Sequence, residues 1–518
     1  MRKFYTFLSV MCVATVTLML SACSSRDYRD TLPADATAVI AVNPQSWADK
    51  AEVGDFTQSI YYQMAQMLLA QQQMSAEDSE YLLQMIAHPG TTGLDVEKDM
   101  FVFVGKDKNT VLSQPEVGML FNVKNPKEVE TFLGWIAGKI GVEPQTENGV
   151  TFLEIADQNT TYIAYTKESF LLYTETNPEV AEVKATVMQL LSQKKSESLM
   201  AMPEIASALN EANDMQLVFR YAALMNMPEM NMQIPGFEFL SKMSYVGKVN
   251  FEVGKIVSEG KAVFSDKEAE KQYQAMMEAF SQGLNGKFLS MLPEKNMAVL
   301  AVALQGEKIY GFLEQNPIYG MIFSSVPQLA PIMKSIAGDF SLSFHGMLAD
   351  GQMPALSMLV DLRDAADLNT IMELFTFEFV EMAPNQYQVK GFPVYFGLNG
   401  NMLYVTTDAS ALDYLTGKSM SNYKPLNESI FRNSYVAMEV DLVQVREMLN
   451  QMVTAGQIDP QMGIALSFLG LFESIESSTD MDADGKLVIN MTNKEKNALA
   501  VLYETIEGLA QMGAAMAM

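Results

Sequence analysis

The acidic stretch Asp480-Met481-Asp482-Ala483-Asp484-Gly485 has the residue types and the spacing of a calcium site. Acidic residues at every second position, followed by glycine, form the first half of a calcium-binding loop, with Asp480, Asp482 and Asp484 as ligands. The twelfth position of such a loop carries a bidentate glutamate, but here it is Met491. An Asp-Gly pair before an apolar run is also typical of a hairpin turn. We expect the turn, with calcium as the alternative.

A second candidate is the methionine cluster formed by Met225, Met227, Met230 and Met232. Thioether sulfurs are soft ligands that suit Cu(I). However, methionine also fills irregular gaps in cores and lines adaptable apolar surfaces. The chain contains forty methionines spread along its length. We therefore expect these four to belong to a loop or to an apolar ligand-binding surface, with copper as the alternative.

Other reactive centres find no support in the sequence. His88 and His345 are the only two histidines, whereas zinc sites usually need several His or Cys ligands. A Ser-His-Asp triad could use either histidine, but the chain has no Gly-x-Ser-x-Gly motif. No pair of carboxylates stands out among the 62 acidic residues as a glycosidase pair would. The sequence thus predicts no catalytic residue, no cofactor and no enzymatic activity.

The N-terminus has the layout of a lipoprotein signal. Met1-Arg2-Lys3 is basic, residues 4–20 are apolar, and Leu20-Ser21-Ala22-Cys23 follows. This last motif resembles the bacterial lipobox, and the resemblance implies cleavage before Cys23 and acylation of that residue. An ordinary signal peptide or a membrane helix is the alternative, but the apolar stretch is shorter than the ~20 residues of a typical span. We assign residues 1–22 to a lipoprotein signal peptide and residues 23–30 to a tether.

Lipidation at Cys23 would make a membrane the partner of this protein. Cleavage would leave Cys23 as the only cysteine, which excludes a disulfide and a cysteine metal site. Several acyl chains on one residue anchor a protein stably to a membrane. Ser24 favours the outer over the inner membrane by analogy with known sorting rules, and the stretch Ser24–Asp30 lacks the adjacent acids of surface-export tags. We therefore expect an outer-membrane lipoprotein that faces the periplasm.

The overall charge excludes another class of partner. The 518 residues include 35 basic and 62 acidic side chains, which gives a net charge of −27. Nucleic-acid binding depends on lysine and arginine that neutralise phosphates, so we expect no nucleic-acid partner. Apolar residues make up 49% of the chain and charged residues 19%, a composition typical of globular proteins. The protein or small-molecule partner is not specified.

Internal similarity predicts that the chain is a tandem duplication. Residues 32–42 recur as residues 292–302 with six of eleven positions identical. Residues 115–136 align with 354–375, and residues 162–173 align with 393–404. The order of the matches is the same in both halves, while the offset falls from 260 to 239 and then to 231. We therefore predict a first repeat at 31–290 and a second at 291–518.

The aligned segments also predict the fold class. In each half a strand-like run leads into a helix, with Asn125 and Asp364 at the predicted N-caps. Each half ends in a helix after the predicted capping boxes Ser265…Glu268 and Thr492…Glu495. Short turns between neighbouring strand-like runs require antiparallel pairing. We predict an α+β fold of two tandem related repeats, each a mostly antiparallel sheet covered by helices.

The opening Leu32-Pro33-Ala34-Asp35-Ala36, soon after a lipobox, resembles a domain-of-unknown-function lipoprotein family of gut Bacteroidetes. The resemblance implies an address in the cell envelope and supplies no catalytic residues. Together with the duplication, it favours a lipid-anchored envelope protein with a non-enzymatic binding or structural role. A periplasmic carrier of an apolar ligand is the first alternative, suggested by the methionine content. A glycan or peptide hydrolase is the second.

Overall fold

The computed structural model describes residues 26–71, 75–105, 116–156, 159–176, 180–222, 237–280, 282–348, 353–373, 377–459, 463–480 and 482–517. Cys23 and the methionine cluster at 225–232 lie outside these ranges.

Most of the described strands are short and are joined by tight turns. They are β1 Ala38–Val42, β2 Met100–Val104, β3 Val117–Asn122, β4 Gln145–Glu147, β5 Val150–Ala156, β6 Asn159–Tyr165, β7 Ser169–Thr176, β8 Met215–Arg220, β9 Met243–Glu252, β10 Lys255–Phe264, β11 Ala298–Ala303, β12 Ile336–Met347, β13 Pro354–Leu362, β14 Phe379–Ala383, β15 Gln386–Val389, β16 Tyr395–Asn399, β17 Met402–Thr406, β18 Val436–Asp441, β19 Phe472–Thr479 and β20 Gly485–Met491.

The described α-helices lie between groups of strands. They are α1 Pro44–Lys50, α2 Ile60–Gln71, α3 Ala76–Ala87, α4 Pro126–Ile140, α5 Val180–Ser192, α6 Pro203–Ala208, α7 Lys267–Phe280, α8 Gly306–Glu314, α9 Pro317–Ser325, α10 Leu329–Ser335, α11 Asp367–Met372, α12 Leu412–Leu415, α13 Ile430–Asn433, α14 Leu442–Thr454, α15 Gly463–Leu469 and α16 Ala498–Ala517. Among the described residues, none of these helices combines the length and the hydropathy that crossing a bilayer requires.

The chain divides into two compact units. The first unit consists of Met1–Val39 and His88–Ser207, and the second consists of Ile40–Ala87 and Ala208–Met518. This division follows contacts rather than sequence similarity, so the predicted repeat limits at 31–290 and 291–518 stay a prediction. In the first unit, antiparallel pairing orders the strands β4-β5-β6-β7-β3-β2.

The same order of strands recurs within the second unit. Its antiparallel pairings give β8-β9-β10-β20-β19-β18-β11-β12-β13-β17-β16-β15-β14. The order β14-β15-β16-β17-β13-β12 is therefore the order β4-β5-β6-β7-β3-β2 of the first unit, with ten added to each strand number. The predicted α+β fold class is confirmed: helices accompany antiparallel sheets, and two related sets of strands follow each other along the chain.

The pairing of β10 with β20 has the geometry of a local two-fold axis. Residues 254–257 of the first repeat align with residues 485–488 of the second, and the aligned pair Val257 and Val488 lie directly opposite each other. Directly opposite residues of antiparallel strands point to the same face of a sheet. The local axis therefore runs perpendicular to the sheet between Val257 and Val488, and it keeps related elements on the same face.

Two predicted N-caps form the expected side-chain hydrogen bond, and the two predicted capping boxes do not form. Asn125 caps α4, because its side chain accepts a hydrogen bond from the Lys127 N–H. The Asp364 side chain likewise accepts a hydrogen bond from the Ala366 N–H, although α11 begins at Asp367, two residues later than a cap at Asp364 predicts. Neither predicted capping box forms, because the side chains of Asp266 and Asn497 cap the two closing helices instead.

Each unit has buried apolar clusters of its own. In the first unit, Val129, Leu133 and Ala137 of α4 pack against Leu153 and Ile163 of the sheet. In the second unit, separate clusters form around Leu359 and Tyr404 and around Phe251 and Val501. The cluster beneath the short helix α11 differs from these, because it surrounds an open space.

Candidate functional site

An apolar cavity of about 390 Å³ lies in the second unit, within the second repeat. The sheet strands β12–β17 form its floor, and the short helices α10 and α11 form its walls. The cavity is lined by apolar side chains and by Ser335: Ile332, Ser335, Ile336, Phe340, Met358, Val360, Leu362, Leu368, Ile371, Met372, Phe377, Phe379, Val389, Val394, Phe396, Leu403 and Val405.

Strand periodicity explains the apolar floor. Met358, Val360 and Leu362 alternate along β13, so they share one face. Val360 lies opposite Leu403 of β17 on one side and opposite Phe340 of β12 on the other. Rows of directly opposite apolar residues thus cross three strands and leave no polar group on the floor.

The one polar side chain of the lining is already satisfied. The Ser335 hydroxyl donates a hydrogen bond of 2.6 Å to the Ile332 carbonyl oxygen, and Ser335 is buried. A guest in this cavity would therefore find no free hydrogen-bond donor among the lining side chains. Such a lining favours an apolar ligand, since burying an unpaired polar group costs free energy.

A comparison with the first repeat explains why the space is open. Helix α4 has 15 residues, whereas its counterpart α11 has six. In the first unit Phe121 and Phe132 both contact Phe170, with ring centroids 6.1 and 6.3 Å apart. Their aligned counterparts are the smaller residues Val360 and Ile371. Among the described residues, a shorter helix and smaller side chains leave this space unfilled.

The cavity reaches the surface at Phe377. This residue lines the cavity, yet 57% of it is exposed. Val380 follows the cavity-lining Phe379 in β14, so its side chain points to the opposite face of that strand and does not belong to the opening.

The acidic stretch at 480–485 forms the turn between β19 and β20. The Asp480 carboxylate accepts hydrogen bonds from the backbone N–H groups of Asp482 and Asp484, at 2.9 and 3.0 Å. Ala483 adopts a φ of 66°, a left-handed value that a tight turn requires. In the part of the chain that the structure describes, no three His, Cys, Asp or Glu side chains are grouped so that they could hold a metal ion.

Asp480 and Asp484 also lie on a polar groove of about 380 Å³. Within this groove Glu259 pairs with Lys486 at 3.0 Å and with Lys248 at 3.5 Å. The hydrogen bond from Lys486 is the main reason that the pKa of Glu259 falls below its usual value. Charges of both signs line the groove, so it selects neither a cation nor an anion by charge.

Two predicted sites cannot be placed. Met225, Met227, Met230 and Met232 lie outside the described residues, and so does Cys23. The expectation of an apolar methionine surface at 225–232 therefore stays a prediction. Two other methionines, Met358 and Met372, do line the apolar cavity.

His345 lies in an arrangement that superficially looks like a catalytic triad. Its Nε2 lies 2.9 Å from the Ser343 hydroxyl, and its Nδ1 lies 3.5 Å from Asp408 Oδ2. Ser343 is fully buried within the sheet, so a substrate cannot reach its hydroxyl. Burial lowers the pKa of His345, which favours the neutral ring. This group is a buried polar contact of the second unit.

Two buried carboxyl groups hold backbone segments in place. Asp339 accepts hydrogen bonds from the N–H groups of Asn285 and Gly286. Glu439 accepts a hydrogen bond from the Leu426 N–H at 2.7 Å. Burial raises the pKa of both carboxyl groups. Each is engaged by backbone donors, which is a structural role rather than the open carboxylate pair of a hydrolase.

Comparison with known proteins places the chain in a family without assigning a reaction. Crystal form IV of TP0453 is 9% identical with a TM-score of 0.27, and the match covers 46% of this chain and 81% of that chain. Crystal form I of TP0453 is 7% identical with a TM-score of 0.26, covering 50% and 88%. Similarity at this level supports no conclusion about function.

Among curated proteins, no significant relative is found. The resemblance to a domain-of-unknown-function family is confirmed, while the lipobox and the bacterial group stay predictions. The model of one such family matches residues 28–499. The chain therefore belongs to the family described as domain of unknown function DUF4836.

Proposed function

We propose that this protein is a non-enzymatic, lipid-anchored envelope protein that binds an apolar ligand in the cavity of its second repeat. The observation that carries the proposal is the cavity of about 390 Å³ with a lining of apolar side chains that offers no free hydrogen-bond donor. Its volume falls within the ~300–1,000 Å³ that is typical of small-molecule sites. We therefore favour a carrier of an apolar ligand over a binding protein of unspecified ligand.

The chemistry of the cavity favours an aliphatic chain as ligand. Each methylene group removed from water contributes about 0.8 kcal/mol. A polar head group would stay outside, at the exposed side of Phe377, because the interior provides no partner for it. The proposed ligand class is therefore a single-chain amphiphile, such as a fatty acid, or the acyl chain of a lipid.

Binding to this cavity can be tested with a fluorescent fatty acid. The variant Val360→Phe with Ile371→Trp places larger side chains inside the cavity. We expect the affinity for cis-parinaric acid to fall at least about tenfold, because the added rings occupy the space of the acyl chain. A fluorescence titration against the unmodified protein measures this change.

The matched control makes the same two types of substitution elsewhere. Val380 and Ile506 are each 46% exposed and do not line the cavity. The variant Val380→Phe with Ile506→Trp should bind the probe like the unmodified protein. If the unmodified protein fails to bind the probe, or if both variants bind it equally well, the proposed function is wrong.

The proposed anchor has its own test. Cys23→Ala removes the sulfur that the lipobox would present for acylation, so it should abolish lipidation and leave an uncleaved or mislocalised precursor. Labelled palmitate measures incorporation, and fractionation of the envelope tests the expected outer-membrane location. Labelling that persists in Cys23→Ala would contradict the anchor without affecting the cavity.

A further inference from the structure

Both repeats contain a long segment without charged residues between their first and second strands. Residues 56–76 and residues 315–333 contain no Asp, Glu, Lys or Arg. Charged residues make up 19% of the chain, and its net charge is −27. Two such segments at corresponding places, one after β1 and one after β11, call for a common explanation.

In the first repeat this segment forms helix α2, which presents methionines to the solvent. Tyr61 contacts Tyr503 of α16, with ring centroids 5.9 Å apart, and the Ile60 N–H donates to the Glu507 carboxylate. These contacts fix one side of the helix. Met64 and Met67 are 40% and 50% exposed, and they share the exposed side of the helix with the uncharged residues Gln63, Gln66 and Ala70.

In the second repeat the segment forms α9, which has the same division into a fixed and an exposed side. Phe323 is buried and lies 4.8 Å from the ring of Tyr310 in α8. Ile318, Met321 and Ile322 are 41%, 63% and 44% exposed. Their spacing of i, i+3 and i+4 gives α9 a continuous apolar surface.

Both helices are attached to the same face of the sheet. Helix α2 contacts α16, which packs on Phe251 and Ile256. Ile256 lies opposite Phe251, so both residues point to one face. Phe264, eight residues further along β10, points to that face as well.

Helix α9 is connected to that face of the sheet through α7, the helix near the end of the first repeat. Tyr273 of α7 contacts Phe264, with ring centroids 5.1 Å apart. A chain of aromatic contacts then leads from Tyr273 through Phe239 and Phe237 to Tyr319 of α9. The two charge-free helices thus stand on one side of the second unit, as the local two-fold axis requires.

We propose that the exposed sides of α2 and α9 form a paired surface that docks onto a lipid bilayer. Apolar side chains of a helix that lies in the membrane interface insert into the acyl region. An axis perpendicular to the sheet directs both helices to the same side, which suits a flat partner. The absence of charge suits this role too, since a chain of net charge −27 is otherwise repelled by anionic lipid.

The neighbouring cavity supports a bilayer rather than a second protein as the partner. The charge-free segment 315–333 continues into α10, where Leu329 is exposed and Ile332 lines the cavity. Leu329 and Ile332 lie three residues apart on one side of that helix. The docking surface therefore leads directly to a site suited to an acyl chain, although the docking proposal does not depend on that ligand.

Vesicle binding tests the proposal directly. The protein is prepared from residue 23 onwards with Cys23→Ser, so that no acyl group contributes to binding. We expect it to float with phosphatidylcholine vesicles and to bind phosphatidylglycerol vesicles more weakly at low salt. Met67→Glu with Met321→Glu should lower the partition coefficient at least about tenfold, because each change places a charge in the apolar surface.

The control variant carries the same charges outside the two helices. Val253 and Met420 are 60% and 91% exposed, so Val253→Glu with Met420→Glu should float like the parent protein. Met67→Ser with Met321→Ser provides a milder pair if the glutamates disturb folding, and circular dichroism monitors this. Its partition coefficient should fall as well.

Three outcomes would overturn the docking proposal. They are a parent protein that does not bind vesicles, a Met67/Met321 variant that binds as the control does, and a dimer that these substitutions dissociate in the absence of vesicle binding. The last would assign the surface to a second copy of the chain. Binding of cis-parinaric acid should be unchanged in the Met67/Met321 variant, so this proposal and the cavity proposal can fail separately.

Discussion

Asp214→Ala is expected to destabilise the second unit by a few kcal/mol, because it removes the acceptor of three donors and each buried donor left unsatisfied costs about 1–3 kcal/mol. The Asp214 side chain is 3% exposed and pairs with Lys50 at 2.6 Å. It also accepts hydrogen bonds from the Ser46 hydroxyl and from the Phe251 N–H. Alanine would leave these donors without an acceptor and would detach α1 from the sheet.

The fluorescence of Trp47 reports this loss. Its indole N–H donates to the Asp214 carbonyl oxygen, and Trp135 is the only other tryptophan. A Trp135→Phe background therefore leaves one reporter, in the second unit, for urea unfolding. Glu378→Ala, which breaks an exposed pair with Lys390, is the control and should cost at most about 1 kcal/mol. Equal losses in the two variants would contradict the role of Asp214.

Leu133→Ala is expected to destabilise the first unit by about 2–5 kcal/mol, whereas Met372→Ala in the second unit should cost less than half as much. The two positions are aligned in the repeats, on α4 and on α11. Leu133 is 1% exposed in a filled cluster, so its truncation creates a new cavity. Met372 already borders an open space, so fewer contacts are lost there.

Unfolding monitored separately in each unit measures this difference. Trp135 lies in α4 and reports the first unit, and Trp47 reports the second. Leu133→Val, which removes less volume, should lie between the parent protein and Leu133→Ala. A Met372→Ala loss as large as that of Leu133→Ala would mean that the second-repeat cluster is as well filled as the first.

Much of the fold could be predicted from local patterns. Alternating apolar residues defined strands such as β13, and Asn125 with Pro126 marked the start of α4. The recurrence of residues 32–42 at 292–302 indicated the duplication. Helix starts at Asp266 and Asn497 were missed because other Ser, Thr and Asn side chains nearby were equally able to cap.

The cavity could not be predicted in the same way, because no residue in it has a chemical signature. Leu368, Ile371 and Met372 have the spacing of a buried helix face, and that pattern is the same whether the face packs or borders a void. The available signal was the fall in the repeat offset from 239 to 231, which makes the second repeat eight residues shorter between position 375 and position 393. Only the structure shows that nothing described fills that space.

Asp480 and His345, whose types and spacing resemble those of reactive sites, have structural roles in this protein. Asp480 stabilises a turn, and His345 contacts a buried serine. Their types and spacing matched reactive sites, but function also requires access and the orientation of ligands. The candidate site instead consists of ordinary core residues. These residues line an open space because the described helix α11 is shorter than its counterpart α4.

Native mass spectrometry of the protein purified from its own membranes tests the central claim most directly. We predict one apolar molecule bound per chain in the unmodified protein and in Val380→Phe/Ile506→Trp, and none in Val360→Phe/Ile371→Trp. A chain that carries no such molecule, or a bound molecule that the cavity-filling variant retains, would contradict the account.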